Sequence, residues 1–536
     1  MFNFSAENYI KRIILAILIF YTVFAQGGFF VIPLIILNVF FLLAIVLSKG
    51  SVKWDIPLVF FCIFFAIMAV SAVFSLSFDA AVKELLKYAL FPLAYSYFKQ
   101  NNDEDKIETL FYSSFVVLMA FGMLGILGIS PIDGMVTNLG GRLQSFFQYA
   151  NTTALAMGIG AFYATEKFRN TKKWLHLIMA GLFFGALVLT LSRVSFVVFI
   201  LCYLLYVFQF VRLKIKLLLL GGFGVFMTVL VATSSRIAQI SIFAPTLVER
   251  YISYFDALHM LRQSPFGVGL GNWQFLQFYY QSAPYDVLYI HNAYLQMALD
   301  GGFLALLVFI MAVGLSFIKA KKGVHFYIGI FILINSFFEV HFNFGIIIIY
   351  FMFLLATLNK NAQPLKIPSI KYIKYAAVLP LIVLLVLFAS NALASYGTAL
   401  ERRGQINEAR QAFANAHSIN PLSDGLHIHQ ARVAVSPQYA LYHLYIAHNA
   451  NSFNGLAIYM LVQNHIMLGN YEQAYIYADK LLQIFPFSTR NQNLLKEIIL
   501  MLEKEQQPTL LYNLEARIKA INDGINPLFR HIEGGL

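Results

Sequence analysis

The sequence predicts an all-α membrane protein: a polytopic helical bundle of about thirteen spans with an extracytoplasmic helical-repeat domain behind it. Three observations predict it. Of 536 residues, 59% are hydrophobic and only 12% charged, against roughly 25% charged in soluble domains. Apolar stretches of about 20 residues, the length that crosses a hydrocarbon core, recur as far as residue 394. Lys and Arg gather in every second connection between them, as cytoplasmic loops do.

In chain order the spans fall near 11–26, 29–48, 55–75, 81–98, 107–128, 148–165, 175–191, 194–211, 217–234, 296–318, 324–340, 343–358 and 374–394. The pair inside 324–358 also fits a re-entrant hairpin. Lys11 and Arg12 before the first apolar run resemble the start of a signal peptide, but further spans follow at once and a retained first span is the better reading. Alternate loops hold Lys49 and Lys53; Lys99 and Lys106; Lys167, Arg169, Lys172 and Lys173; Arg212, Lys214 and Lys216; Lys319, Lys321 and Lys322; and Lys360, Lys366, Lys371 and Lys374. That side is assigned to the cytoplasm, with the N-terminus. The outer side then receives residues 129–147, the turn at Ser192 and Arg193, a long loop at about 235–295, the turn around His341, and everything after 394.

Other classes fall away. The net charge of +12 is dispersed in short clusters between apolar runs, which argues against a nucleic-acid face. Cys62 and Cys202 both lie in apolar runs and offer neither a disulfide framework nor a metal site. No repeated halves mark the membrane part as a transporter.

Residues 1–394 thus form the membrane domain, and residues 395–536 a second, tetratricopeptide-like domain. Gly404-Gln-Ile-Asn-Glu-Ala409 with Pro421 matches Gly469-Asn-Tyr-Glu-Gln-Ala474 with Pro486 at identical internal spacing. Their separation is about two periods of ~34 residues. Such a domain binds a partner protein on its concave face or serves as a lid or scaffold. His427, His429, His443 and His448 have no carboxylate or cysteine pattern beside them and read as packing residues.

The chemically suggestive residues concentrate on the outer side. Arg142, Gln148, Asn151 and Thr152 run from an outer loop into a span, where polar groups line a cavity or bond neighbouring helices. Ser192-Arg193 breaks two apolar runs, and an arginine there needs an anion, a water cavity or a route to the interface. Arg250 opens an amphipathic stretch that leads through Arg262 to Pro265-Phe-Gly267-Val-Gly269-Leu-Gly271-Asn272-Trp273, a tight turn with close backbone approach. His291-Asn292 stands at the outer start of a span, where an imidazole can exchange a proton. Glu339, His341 and Asn343 share the late turn and are expected to face protein or water, and Glu84 can pair with Lys87 one turn on.

These motifs resemble the O-antigen ligase and polymerase superfamily, bacterial O-oligosaccharyltransferases included. The resemblance covers about residues 130–345 and rests most on His291-Asn-Ala-Tyr-Leu-Gln-Met-Ala-Leu-Asp-Gly-Gly302, with Arg142 to Asn151, Leu191-Ser-Arg193, Arg250, and Pro265 to Trp273. It implies transfer of an oligosaccharide from an undecaprenyl-diphosphate carrier to a glycan, lipid or protein acceptor, on the outer face of the bacterial cytoplasmic membrane and with inversion. It also implies catalytic roles for His291, Arg193 and Arg250, with Arg142, Gln148, Asn151, Asn292 and His341 binding substrate. Relatives carry a His-x-x-Asp-like element where this chain reads His341, Phe342, Asn343.

The chemistry agrees with the residue types. Guanidinium groups suit a departing diphosphate, and a histidine suits the proton of an attacking hydroxyl. No metal or other cofactor is expected, since the outer loops lack an acidic ligand cluster. The rival readings are a transporter or flippase of lipid-linked glycans and a non-catalytic membrane scaffold.

Overall fold

The structure, a computed structural model, describes residues 2–48, 52–101, 103–137, 141–212, 245–318, 320–365, 377–502 and 507–525. The span expected at 217–234 and the basic clusters at 214–216 and 366–374 lie outside these residues. The described residues hold helices and no strand; an isolated bridge joins Val136 to Leu143.

The bundle comprises α1 (Phe2–Phe24), α2 (Val31–Val46), α3 (Ile56–Ala72), α4 (Phe78–Gln100), α5 (Glu104–Ile126), α6 (Ala150–Thr171), α7 (Trp174–Leu189), α8 (Arg193–Val207), α11 (Ala293–Ile318), α12 (Val324–Asn335), α13 (Gly345–Leu358) and α14 (Val378–Arg402). Between α8 and α11 lie α9 (Pro245–Gln263) and α10 (Trp273–Tyr280). Among the described helices α5, α11 and α14 are long and apolar enough to cross a membrane unaided. The other apolar helices are 10–17 residues long, which fits crossing only with local thinning or shared burial. Helix α4 has the length of a span but carries Lys83, Glu84 and Lys87, so its polar groups must be met inside the protein. They are: Lys87 pairs with Glu84, as their spacing allows, and donates to Asn343 Oδ1 at 2.9 Å, while Tyr289 donates to Glu84 at 2.7 Å.

Helix α13 is the axis of the bundle. It packs on α1, α2, α4, α11 and α12, and every residue from Gly345 to Ala356 is buried. That explains its sequence, apolar all round with no polar stripe. At one end of the bundle Arg12 binds Asp103, Lys99 binds Asp55 at 3.0 Å, and Lys360 binds Glu104 at 3.1 Å. Arg142, Arg250 and His291 lie at the other.

The glycine-rich segment after α9 packs against the start of α4. Gly267 and Gly269 have φ of 93° and 101°, and a Cβ on Gly269 would sit 2.4 Å from the Phe74 carbonyl oxygen. This is the close backbone approach the glycine spacing predicts. Fully buried Asp300 holds the segment to α11 and α4, accepting from Gly271 N at 3.1 Å, Gln296 at 3.1 Å and Tyr88 at 2.6 Å.

Helix α14 continues without a break into the C-terminal part, so the drop in apolar density at Ser395 falls inside a helix. Beyond it come α15 (Ile406–Ile419), α16 (Asp424–Arg432), α17 (Pro437–Ala450), α18 (Gly455–Met467), α19 (Tyr471–Ile484), α20 (Thr489–Met501) and α21 (Gln507–Asp523), each packed on the next. Gly404 and Gly469 take positive φ, Ala409 and Ala474 are fully buried, and α15 and α19 end before Pro421 and Pro486.

Among the described residues, aromatic packing, a contact of Ile525 with the core around α9 and α10, and an exchange of helix caps join this part to the rest. Phe278 of α10 meets Phe485 with ring centroids 4.5 Å apart. The N-termini of α4 and α16 face each other and exchange caps. Ser423 Oγ and Gly425 N donate to Asp79 at 2.7 and 2.9 Å, while Ser77 Oγ donates to Asp424 at 2.9 Å. Burial, then the charge of Asp424, pushes the Asp79 carboxyl up to about 6. A raised carboxyl favours the docked state below its ordinary value of about 4 and loses that contribution as pH climbs through the raised one. Hydrogen exchange at Gly425, corrected for intrinsic rate, is therefore expected to accelerate between pH of about 4 and about 6.5, and Asp424→Asn to flatten the dependence.

Candidate active site

Helix α12 ends at Asn335 and α13 begins at Gly345. The connection, with one 3-10 turn at His341–Asn343, drops Glu339 into the end of the bundle with 1% of its surface exposed. A buried carboxylate must be paired and hydrogen-bonded, and here four side chains do so. Tyr149 OH, Asn151 Nδ2 and Arg250 Nη2 each donate at 2.5 Å, and His291 Nδ1 lies 3.3 Å away. Burial opposes the Glu339 charge, but the His291 hydrogen bond and then the Arg250 charge outweigh it and hold the carboxyl down to about 2. The ion pair with Arg250 is thus intact at any physiological pH.

Three elements aim the donors. Helix α9 carries Arg250, whose Nη1 also donates to the Phe338 carbonyl at 3.1 Å. The same helix carries Tyr254, whose hydroxyl donates to the His291 carbonyl. Asn292 caps α11, its Oδ1 accepting from the amides of Tyr294 and Leu295 at 3.0 Å each, which fixes the residue before it. The start of α6 supplies Tyr149 and Asn151. His291 turns its Nδ1 toward the Glu339 carboxylate at 3.3 Å and the Tyr149 hydroxyl at 3.4 Å, an orientation that favours the tautomer with the proton on Nδ1 and Nε2 as the acceptor. The His291 side chain is 25% exposed, enough for a ligand to reach it.

Arg142 extends the cluster. Its Nη2 donates to Asn151 Oδ1 and its Nε to the Thr190 carbonyl, both at 2.9 Å. Arg193 stands exposed at the first residue of α8, after Leu191 in the left-handed region (φ 54°). Among the described residues no hydrogen bond or ion pair holds its guanidinium. Arg250 and Arg193 both repel the Arg142 charge, so each lies within electrostatic range of Arg142. Three guanidinium groups against one carboxylate leave the cluster with an excess of positive charge.

Of the eight residues that the sequence singles out, His291, Arg250, Arg142 and Asn151 meet around Glu339, and Arg193 stands beside them. The remaining three make protein contacts. Gln148 (φ 51°) accepts from Gln26 at 2.6 Å and donates to the Asp133 carbonyl at 2.9 Å. Asn292 is the helix cap. His341 is fully enclosed, its Nδ1 3.1 Å from Thr152 Oγ1, and burial pushes its pKa down to about 4. Sequence reasoning passed over Tyr149 and left Glu339 without a role in the site. A tyrosine at a span end is an ordinary interfacial anchor and carries no other signal.

Residues 178–310 match the O-antigen ligase family model. The matched segment runs from α7 into α11 and contains Arg193, Arg250, His291 and Asn292, while Arg142, Asn151 and Glu339 lie outside it. The chain matches none of the curated proteins. The family likeness supports the ligase superfamily for this segment and suggests glycan transfer in a membrane.

Proposed function

We propose that the protein is a membrane glycosyltransferase of the O-antigen ligase or O-oligosaccharyltransferase type. It moves an oligosaccharide from an undecaprenyl-diphosphate carrier to a glycan, lipid or protein hydroxyl, on the outer face of the cytoplasmic membrane. The N-terminus lies in the cytoplasm and the tetratricopeptide-like repeats outside. One observation carries the reading: a histidine oriented by a buried carboxylate stands among three arginines, at the end of an apolar bundle.

The acceptor O–H gives its proton to His291 Nε2 as its oxygen bonds to the anomeric carbon, and the bond from that carbon to the diphosphate breaks. Glu339 holds the imidazole in the tautomer that accepts this proton and steadies the cation that forms. The diphosphate departs with growing negative charge, which Arg193 and Arg142 meet with permanently charged, bidentate donors. Arg250, held at Glu339, adds its field without having to move. The charge is met by guanidinium groups, so the transfer calls on no metal or cofactor.

The test is transfer from labelled undecaprenyl-diphosphate oligosaccharide by the purified protein in nanodiscs, comparing wild type with Arg193→Ala. Wild type is expected to form a glycosylated acceptor, and the variant to lose about 10²–10³-fold, the usual effect of removing one donor to the developing anion. Equal rates would leave Arg193 without a role at the diphosphate. Movement of donor across the membrane with no covalent product would replace the enzyme by a transporter.

A further inference from the structure

Helix α9 has three faces. Arg250 and Tyr254 turn to the site. Val248, Ile252, Met260 and Leu261 are buried in a small core with Trp273 and Leu299. The third face holds Tyr251, Phe255 and Leu258, exposed by 51%, 62% and 41%. Their spacing of four and then three residues makes one stripe, continued a turn later by exposed Arg262. A helix lying against water carries polar residues on such a face.

The apolar surface runs on past the helix. Phe266, 83% exposed, follows Pro265 on the turn. This turn is seated on α11: Phe303 N donates to the Pro265 carbonyl at 3.1 Å, and a Cβ on Gly302 would lie 2.5 Å from the Phe266 carbonyl carbon. From that point α11 exposes Phe303, Leu304, Leu307 and Ile310, and α11 is one of the helices apolar and long enough to cross a membrane. The stripe on α9 is therefore continuous with the surface that α11 offers to acyl chains.

We propose that α9 is a membrane-interfacial helix, with Tyr251, Phe255, Leu258 and Phe266 sunk into the leaflet at the site end of the bundle. The occupant of this face is bilayer lipid. Continuity with α11 favours lipid over a second protein, and Arg262 sits where a cation meets phosphate headgroups. The C-terminal helices dock at Phe278, Tyr279 and Asp79, with Ile525 against the small core, and leave Tyr251, Phe255 and Leu258 exposed. Arg250 neighbours Tyr251 in the chain, so the helix holds the Glu339 cluster at headgroup depth. The inference rests on the bundle being embedded in a membrane and is independent of glycan transfer.

The test is spin labelling of the full chain in nanodiscs, on a background with Cys62 and Cys202 replaced by alanine. Labels at Phe255→Cys and Leu258→Cys are compared with Leu307→Cys as the lipid reference and Glu472→Cys as the aqueous one. The expected result is a ratio of oxygen to nickel-chelate collisions several-fold above that at 472 and close to that at 307. Free access of the nickel chelate would place the stripe in water and overturn the proposal. Protection from both reagents would overturn it too, because a protein would then cover the face. Tyr251→Cys serves if either variant fails to fold.

Discussion

His291→Ala is expected to lower transfer by about 10²–10⁴-fold, the range for loss of a positioned general base, while donor binding persists. The separation follows from the geometry. Arg142 is held at Asn151 and the Thr190 carbonyl, and Arg250 at Glu339, without help from the imidazole, so the anion site outlives the base. Single-turnover rates at saturating donor, set beside donor affinity measured separately, resolve the two. A variant that transfers at the wild-type rate would show that another group takes the proton.

Glu339→Ala has the larger expected effect, because it strikes fold and chemistry together. The carboxylate meets Tyr149, Asn151, Arg250 and His291 from three separate elements. Removing one partner of a buried ion pair costs about 3–5 kcal/mol, since the remaining charge is left without compensation. The variant should melt well below wild type in detergent and show no transfer. Glu339→Gln preserves the shape and accepting oxygen but not the charge, so it should stay folded while the Arg250 and His291 geometry loosens and the rate falls. A Glu339→Gln protein with full activity would reduce the carboxylate to a packing residue.

The sequence reveals the ends of apolar runs, and the site sits at such ends. Arg250, His291, Arg142 and Asn151 were legible because each is a costly group where hydrocarbon gives way to water. The centre of the site was not. Glu339 acquires its role only when α6, α9 and α11 converge, and its partners lie up to 190 residues away in the chain. The glycine-rich turn was readable because Gly267 and Gly269 demand positive φ. The span count was less so: α12 and α13, with 12 and 14 residues, are shorter than a hydrocarbon core of about 30 Å requires, and apolar composition alone does not distinguish a buried helix from a lipid-facing one.

The enclosed axis of the bundle bears on how such a protein diversifies. Helix α13 has no side left for lipid or water over its first twelve residues, Gly345 to Ala356, and the turn that precedes it carries both Glu339 and His341. A hub mounted there cannot drift without unseating every helix around it. A directed library would place its diversity at exposed positions such as Tyr279 and Leu288, and leave Glu339 to Phe344 untouched.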